Sequence, residues 1–536
     1  MNHFDKKYLY PALPAIVVIS LYAVTLGHGF VWDDLIYTVG NSSYEHIDIS
    51  TLFISLGNGV EYLPLRDLSY SLDYLFWGWT PFGFHLTNLL LYAVTCTIIY
   101  LFTAALPCIA VEPGYRRAIA ILTALIFAVH PLNSEAVNFI TCRNVLLSGC
   151  FFFLAGYSFI RCRLAPGDAV SFPWTASLFI CSAAAMLSKA TAVTLPIVIL
   201  LLGGYLSPGS SLRRRTFVIA PLFALAAVMY LVHTRVALQS RIIPRDAGTD
   251  IMATVAVAVQ IPFFYLKKFL SPTGYSAEYT ADRFSDIIAG SPVLLSMAGI
   301  ILISAGAFAF RKRQPLAGFA LLWSAGALLP VLNVFATNPV VADRYAFLPL
   351  YGFALMTAVL LVHFYRTFPR PAAVLVIAIL TSLSTAAVIR SRDWHSDLTL
   401  WQANIRTEPA NAKGYQNLAA EAALAGNLSL ARDTLAQGRL NAPSPTYDYL
   451  EGTIYERLHD LPNALRLYKE AVRQDPDHIR SLLAIGRIYE ESGNQDEAVL
   501  AYERTLSAEA PDGWGCRDQA RSRLASLRPN RNERRR

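Results

Sequence analysis

The chain has 536 residues, 54% of them hydrophobic and only 15% charged, with a positive mean hydropathy. Those values exclude an ordinary soluble globule and a disordered chain, and describe a multispanning membrane protein with length to spare for a soluble domain. The net charge of +7 does not imply nucleic acid as a partner: most lysines and arginines lie in short clusters between apolar runs, as in cytoplasmic loops.

In chain order, the first apolar segment, Pro11 to Leu26, is predicted to cross outward, with Lys6 and Lys7 holding its start in the cytoplasm. It runs into Gly27, His28 and Gly29 without an A-x-A site and reads as an uncleaved anchor. Directly after it comes the acidic pair Asp33 and Asp34 in the string VWDD, on the external side. Charge at the membrane surface is costly and marks function, although an Asp there also suits a helix cap. Span two, about Phe84 to Leu106, returns to Arg116 and Arg117. Span three rises to about His130, a short external helix runs Asn133 to Thr141, and span four descends to Arg161 and Arg163. Spans five (Phe172 to Ser188) and six (Thr191 to Leu206) make a hairpin with Lys189 at its outer tip, and span seven (Thr216 to His233) exits.

The next cytoplasmic cluster is Arg311 to Arg313, after the apolar run Pro292 to Phe310. Parity then requires Ile251 to Leu270 to lie re-entrant or flat on the outer interface, with Lys267 and Lys268 external against the charge rule. Spans at Leu316 to Asn333, Tyr345 to Tyr365 and Ala372 to Ile389 bring the total to roughly eleven and leave everything after Arg390 outside the cytoplasm. From Asn411 the sequence turns polar and periodic: Gly452 and Gly486, Tyr455 and Tyr489, Ala464 and Ala498, and Tyr468 and Tyr502 share one spacing. Pro443, Pro476 and Pro511 close successive units. This is the tetratricopeptide period of about 34 residues, a stack of helix pairs offering a protein-binding surface.

Projected onto this topology, most polar residues gather at the outer face: Asp33, Asp34, Arg66, His85, Asn88, His130, Glu135, Arg143, Lys189, Asp343 and Arg344. Singly, each has a plain reading: Arg66 and Asp67 as a solvated pair, His85 and Asn88 bonded within the bundle, Asp343 and Arg344 as an interfacial salt bridge. Together they describe a cation-rich cavity open to the outside. Such a cavity suits sugar transfer from a polyprenyl phosphate, which needs cations for the leaving phosphate and one base for the acceptor hydroxyl. Adjacent Asp33 and Asp34 cannot both face the same atom, so one is expected to act as base while the other holds acceptor or structure. No Walker loop, dinucleotide fingerprint or serine nucleophile elbow occurs in the sequence. The cysteines show no metal or redox spacing.

The strings FVWDD at Phe30, PFGFHLTNLLLY at Pro81, HPLNSEAV at His130, SKATAVTLP at Ser188, LKKFLSPTGYSAEY at Leu266, DRYAFLPLYGF at Asp343 and SRDWHSDLTLW at Ser391 occur in order along the chain. Together with PANAKGYQNLA at Pro409, the set resembles the transmembrane and tetratricopeptide repeat-containing O-mannosyltransferases and their bacterial relatives. That resemblance implies a GT-C enzyme moving a sugar, mannose in the eukaryotic members, from a polyprenyl phosphate to protein Ser or Thr. By it the catalytic motif is Asp33 and Asp34, with Asp33 the base, while Glu135, Arg143, Lys189 and Arg344 fall on the family's polar positions and Lys267 and Lys268 on its interfacial segment. A departing phosphate needs compensating positive charge, so Arg143, Lys189, Lys267, Lys268 and Arg344 are expected around the donor phosphate. Arg66, His85, Asn88, His130, Glu135 and Asp343 are supporting polar residues. The chain departs from many relatives in having Ala190 after Lys189 and Asn144 after Arg143.

The expectation is thus an all-α protein: a GT-C bundle over 1–390, with an external loop at 28–83 and an interfacial segment at 251–270. A linker helix at 391–410, repeats with a terminal helix over 411–527 and a basic tail at 528–536 complete it. Its partners are a lipid-linked sugar donor, a protein acceptor bound by the repeats, and membrane lipids. No cofactor is required by the sequence, and a divalent metal is left open. The expected location is a bacterial inner membrane with the repeats in the periplasm, or the endoplasmic reticulum membrane in a eukaryote. The competing activities are an oligosaccharyltransferase using a lipid diphosphate, sugar transfer to a lipid or glycan, and a non-enzymatic anchored scaffold.

Overall fold

The computed structural model describes residues 3–53, 61–106, 112–163, 171–205, 212–239, 251–280, 314–332, 339–509 and 515–527, with isolated positions between 293 and 309. Most of the expected eighth span, the Arg311 to Arg313 cluster, Asn333, Pro511 and the basic tail lie outside the described residues. Among the described residues the elements are all helical. Two compact units divide the chain, Met1–Leu400 and Trp401–Arg536.

The first unit is a polytopic membrane bundle. Six of its helices are long and apolar enough to cross a bilayer: Leu9–Gly27, Pro81–Ala105, Ile140–Cys162, Val218–Val236, Asp343–Thr367 and Pro369–Asp393. A bent pair, Gly114–Val129 and Pro131–Asn138, makes a seventh if counted as one span. The described helices thus give six or seven crossings by length and composition, fewer than the eleven expected. Predicted spans five, six and nine form shorter apolar helices, Phe172–Ser188, Ala190–Gly204 and Pro315–Val331, at the lower limit for spanning hydrocarbon. Ile251–Leu270 is one helix with Pro262 inside it and Lys267 and Lys268 in its last turn.

The bend of 54° in the broken pair has a local cause. His130 is extended (φ −74°, ψ 126°), and Pro131 has no N–H to continue the helical ladder. Nδ1 of His130 accepts the Leu132 N–H at 3.2 Å, while its ring stacks on Phe269, centroids 4.9 Å apart. The break turns Ser134–Asn138 across the bundle, where Glu135 and Asn138 are fully buried.

Below this level the core is aromatic: Phe153 stacks on Trp323 at 5.5 Å, and Tyr351 lies 4.7 Å from the same indole. Phe152 and Phe153 are fully buried.

The second unit stacks the pairs Ala412–Leu424 with Leu428–Asn441, Thr446–Arg457 with Leu461–Gln474, and Ile479–Glu491 with Gln495–Ser507, and ends in Cys516–Leu527. It is a tetratricopeptide α-solenoid, and its periodic residues have a packing reason. Gly452 lies under the ring of Tyr468 and Gly486 under that of Tyr502, so that a Cβ would meet ring carbons at 2.5 and 2.4 Å. Each tyrosine hydroxyl then donates to a glutamate of its own pair, Tyr468 to Glu456 and Tyr502 to Glu490, both at 2.6 Å. Glycine and tyrosine recur together because one makes room for the other. Gly486→Ala is expected to destabilise this unit by about 1–3 kcal/mol, read as faster hydrogen exchange over residues 479–507 in the full-length protein with exchange in the membrane helices unchanged.

Candidate active site

The loop after the first span separates the two carboxylates as their adjacency requires. Asp34 is fully buried. Its Oδ1 accepts from both N–H and Oγ1 of Thr141 at 2.7 Å, and its Oδ2 from the Val31 N–H at 3.3 Å. Burial pushes the Asp34 carboxyl up to about 7, against the pull of hydrogen bonds from Thr141, Val31 and Ile140. Asp34 therefore ties the loop to the turn that follows the broken crossing. Asp33 is half-buried, and its charge acts with that of Glu61 on the Tyr37 hydroxyl. Trp32, immediately before it, has φ +54°, a left-handed conformation that costs a non-glycine residue roughly 1–2 kcal/mol.

Two cations, Lys189 and Arg344, line a small pocket together with Ser148, Thr191 and Tyr345 and several apolar side chains. Glu135 pairs with the Arg344 guanidinium and accepts the Arg344 backbone N–H at 2.8 Å, which fixes the start of the Asp343–Thr367 span. The charges of Glu135, Arg344, Lys189 and Asp34 all act on the thiol of Cys142, and that of Glu61 acts on Lys189. Electrostatics thus joins the acidic loop and the cationic cavity in one neighbourhood. Glu61 has no place in the sequence reading. Its signal was Arg66 five residues on, whose Nη1 it accepts at 2.9 Å.

Other expected site residues are engaged elsewhere. Arg143 is fully buried and paired with Asp73; its Nε donates to Asn88 Oδ1 at 2.8 Å and its Nη2 to the Phe84 carbonyl at 2.7 Å. Asn88 in turn donates to the carbonyls of Val137 and Phe139 at 3.4 Å. Arg66 and Asp67 are both buried, with Arg66 Nε on Asp67 Oδ1 at 2.9 Å, so they are a buried pair and not a solvated one. Asp343 and Arg344 do not pair with each other: Asp343 accepts from Tyr279 at 2.6 Å and faces Arg390 at 3.7 Å. Lys267 is exposed. Lys268 is buried, donates to the carbonyls of Thr273 and Gly274, and lies over the rings of Phe264, Tyr275 and Tyr279. His85 Nε2 lies 3.3 Å from the Gly29 carbonyl, and its ring is 5.9 Å from that of His28, which is 5.4 Å from His395. Among the described residues no group of three His, Cys, Asp or Glu side chains could hold a metal ion.

A family model described as "Tetratricopeptide repeat" matches residues 446–508. Protein O-mannosyl-transferase TMTC3 of Homo sapiens is 23% identical over 91% of this chain and 53% of its own length. Along most of its length the chain is similar to protein O-mannosyl-transferases. Shorter stretches match protein O-mannosyl-transferase tmtc2 of Xenopus laevis, 31% identical over 34% of this chain and 22% of that protein. TMTC1 of Mus musculus is 34% identical over 25% of this chain and 14% of its own length. The chain spans about half the length of the TMTC3 relatives it matches along most of its sequence.

The Asp34 geometry gives a pH test. Its raised carboxyl means the folded loop binds a proton more tightly than the unfolded chain, so stability present at low pH is lost as pH rises from 3.8 to about 7. Burial lowers His28 to about 4, which acts in the opposite sense, so the comparison must be differential. Thermal midpoints of Asp34→Asn are expected to gain on the wild type as pH rises from 5 to 8; a constant difference would refute the assignment.

Proposed function

We propose that the protein is a membrane glycosyltransferase of GT-C type that moves a sugar from a polyprenyl phosphate to Ser or Thr of a protein acceptor, on the extracytoplasmic face and with inversion. The observation that carries this reading is the half-buried Asp33 beside a fully committed Asp34, in the same charged neighbourhood as a cavity lined by Lys189 and Arg344. The names of the relatives support protein mannosylation, with mannose as the sugar to test first.

In this reading the acceptor hydroxyl oxygen attacks the anomeric carbon from the face opposite the phosphate, and its proton passes to Asp33. The bond between that carbon and the phosphate oxygen breaks, and its electron pair leaves on the phosphate. Lys189 and Arg344 offset the departing charge in a low-dielectric cavity. A phosphate leaves without needing a second acid, so one carboxylate acting as base is enough. Glu135 holds Arg344 in place, Arg143 and Lys268 act as positioning residues through the partners described above, and exposed Lys267 meets the donor headgroup. No step is routed through a metal. The repeats are the acceptor-binding surface, and a bacterial inner membrane with periplasmic repeats is the proposed location, by the charge-based topology.

Asp33→Asn is expected to lower transfer by about 10²–10⁴-fold with the protein folded and inserted, measured with purified protein, lipid donor and a Ser/Thr peptide. Undiminished transfer would remove Asp33 from the base role. Lys189→Met is expected to weaken donor binding equally for every acceptor peptide, seen as a raised donor KM. A change that depends on the peptide would place Lys189 at the acceptor instead.

A further inference from the structure

We infer that Asp397 is a positioning residue for Asp33, holding the strained turn on which Asp33 stands; this rests on the reading of Asp33 as base. Two non-glycine residues among those described have positive φ, Trp32 at 54° and His459 at 58°. His459 sits in a turn between repeat helices, whereas Trp32 is one residue from the proposed base. A large side chain stays in the left-handed region only when its surroundings over-determine it, and such strain concentrates at functional sites.

The surroundings of Trp32 come from far along the chain. Its backbone N–H donates to Asp397 Oδ1 at 2.7 Å across 365 residues, a charge-assisted bond. Its indole stacks on Phe139 at 5.3 Å and 9°, and Phe139 stacks on Trp394 at 5.2 Å. Three residues earlier the Gly29 N–H donates to the His395 carbonyl at 3.2 Å. The segment Trp394 to Asp397, just beyond the last membrane helix, therefore grips the acidic loop at two backbone amides and through a three-ring stack. Asp34, bonded to Thr141, fixes the other side of the turn.

Asp33 lies between these two anchors, and its direction follows from the backbone angle at Trp32. A base must come within hydrogen-bond reach of the proton it removes, and a misplacement of about 1 Å can cost on the order of 10²-fold in rate. Without the Asp397 acceptor, Trp32 can relax toward negative φ and turn the Asp33 carboxylate away from the acceptor hydroxyl. Donor binding, which the cavity cations supply, is untouched by that rotation.

The test compares Asp397→Ala with Asp397→Asn in the full-length protein. Asp397→Ala is expected to lower kcat by about 10–100-fold with donor KM within about twofold. Asp397→Asn keeps an acceptor oxygen and is expected to recover most of the rate. Hydrogen exchange over residues 28–40 should rise in Asp397→Ala and stay near wild type in Asp397→Asn. Unchanged kcat in Asp397→Ala, an Asn variant no better than Ala, a loss seen in donor KM, or unchanged exchange would each overturn the inference. If the wild type transfers no sugar, the reading of Asp33 falls, while the exchange measurement still decides whether Asp397 holds the turn.

Discussion

A guanidinium sealed among membrane helices sets the geometry of one end of this bundle. Arg143 stands at the start of the helix Arg143–Arg163 and gathers Asp73, the Phe84 carbonyl and Asn88, with the rings of Tyr70 and Phe84 at 4.7 and 5.5 Å. Asn88 passes the constraint on to the Phe139 carbonyl, and Phe139 is the shelf on which Trp32 stacks. Removing one partner of such a buried pair costs about 3–5 kcal/mol, because the remaining charge has no water to turn to. The acidic loop is therefore positioned in part by a buried ion pair several residues away.

The ionisable groups near this loop differ in how far their partners are protein groups. Asp34, Glu135, Arg143, Lys268 and Asp343 each have their hydrogen-bonding or ionic capacity directed at protein groups. Asp33 is half-buried, and Lys189 and Arg344 line a small pocket. Left-handed Trp32 stands two residues before Asp34, with its N–H held by Asp397.

Much of the fold was legible in the sequence. Apolar length and basic clusters located the membrane helices, and a fixed step between Gly452 and Gly486 and between Tyr468 and Tyr502 located the repeats. Both are local or periodic signals that survive in a one-dimensional string. The partners of polar groups were not legible, because they are chosen across the bundle. That Asp73 and Asn88 surround Arg143 is visible only in the structure. Asp343 and Arg344 are adjacent in sequence, yet helical geometry sends one to Tyr279 and Arg390 and the other to Glu135. Asp397 carried no sequence signal of its own, since a carboxylate opening the helix Asp397–Thr407 reads simply as favourable charge at a helix start.

The central claim is that one base and a cationic cavity transfer a single sugar from a lipid monophosphate to a hydroxyl. The most direct measurement is the anomeric configuration, by NMR, of the sugar that purified protein places on a Ser/Thr peptide from a polyprenyl phosphate donor of known configuration. The account predicts a single sugar with its configuration inverted. A retained configuration, or transfer only from a lipid diphosphate, would contradict it.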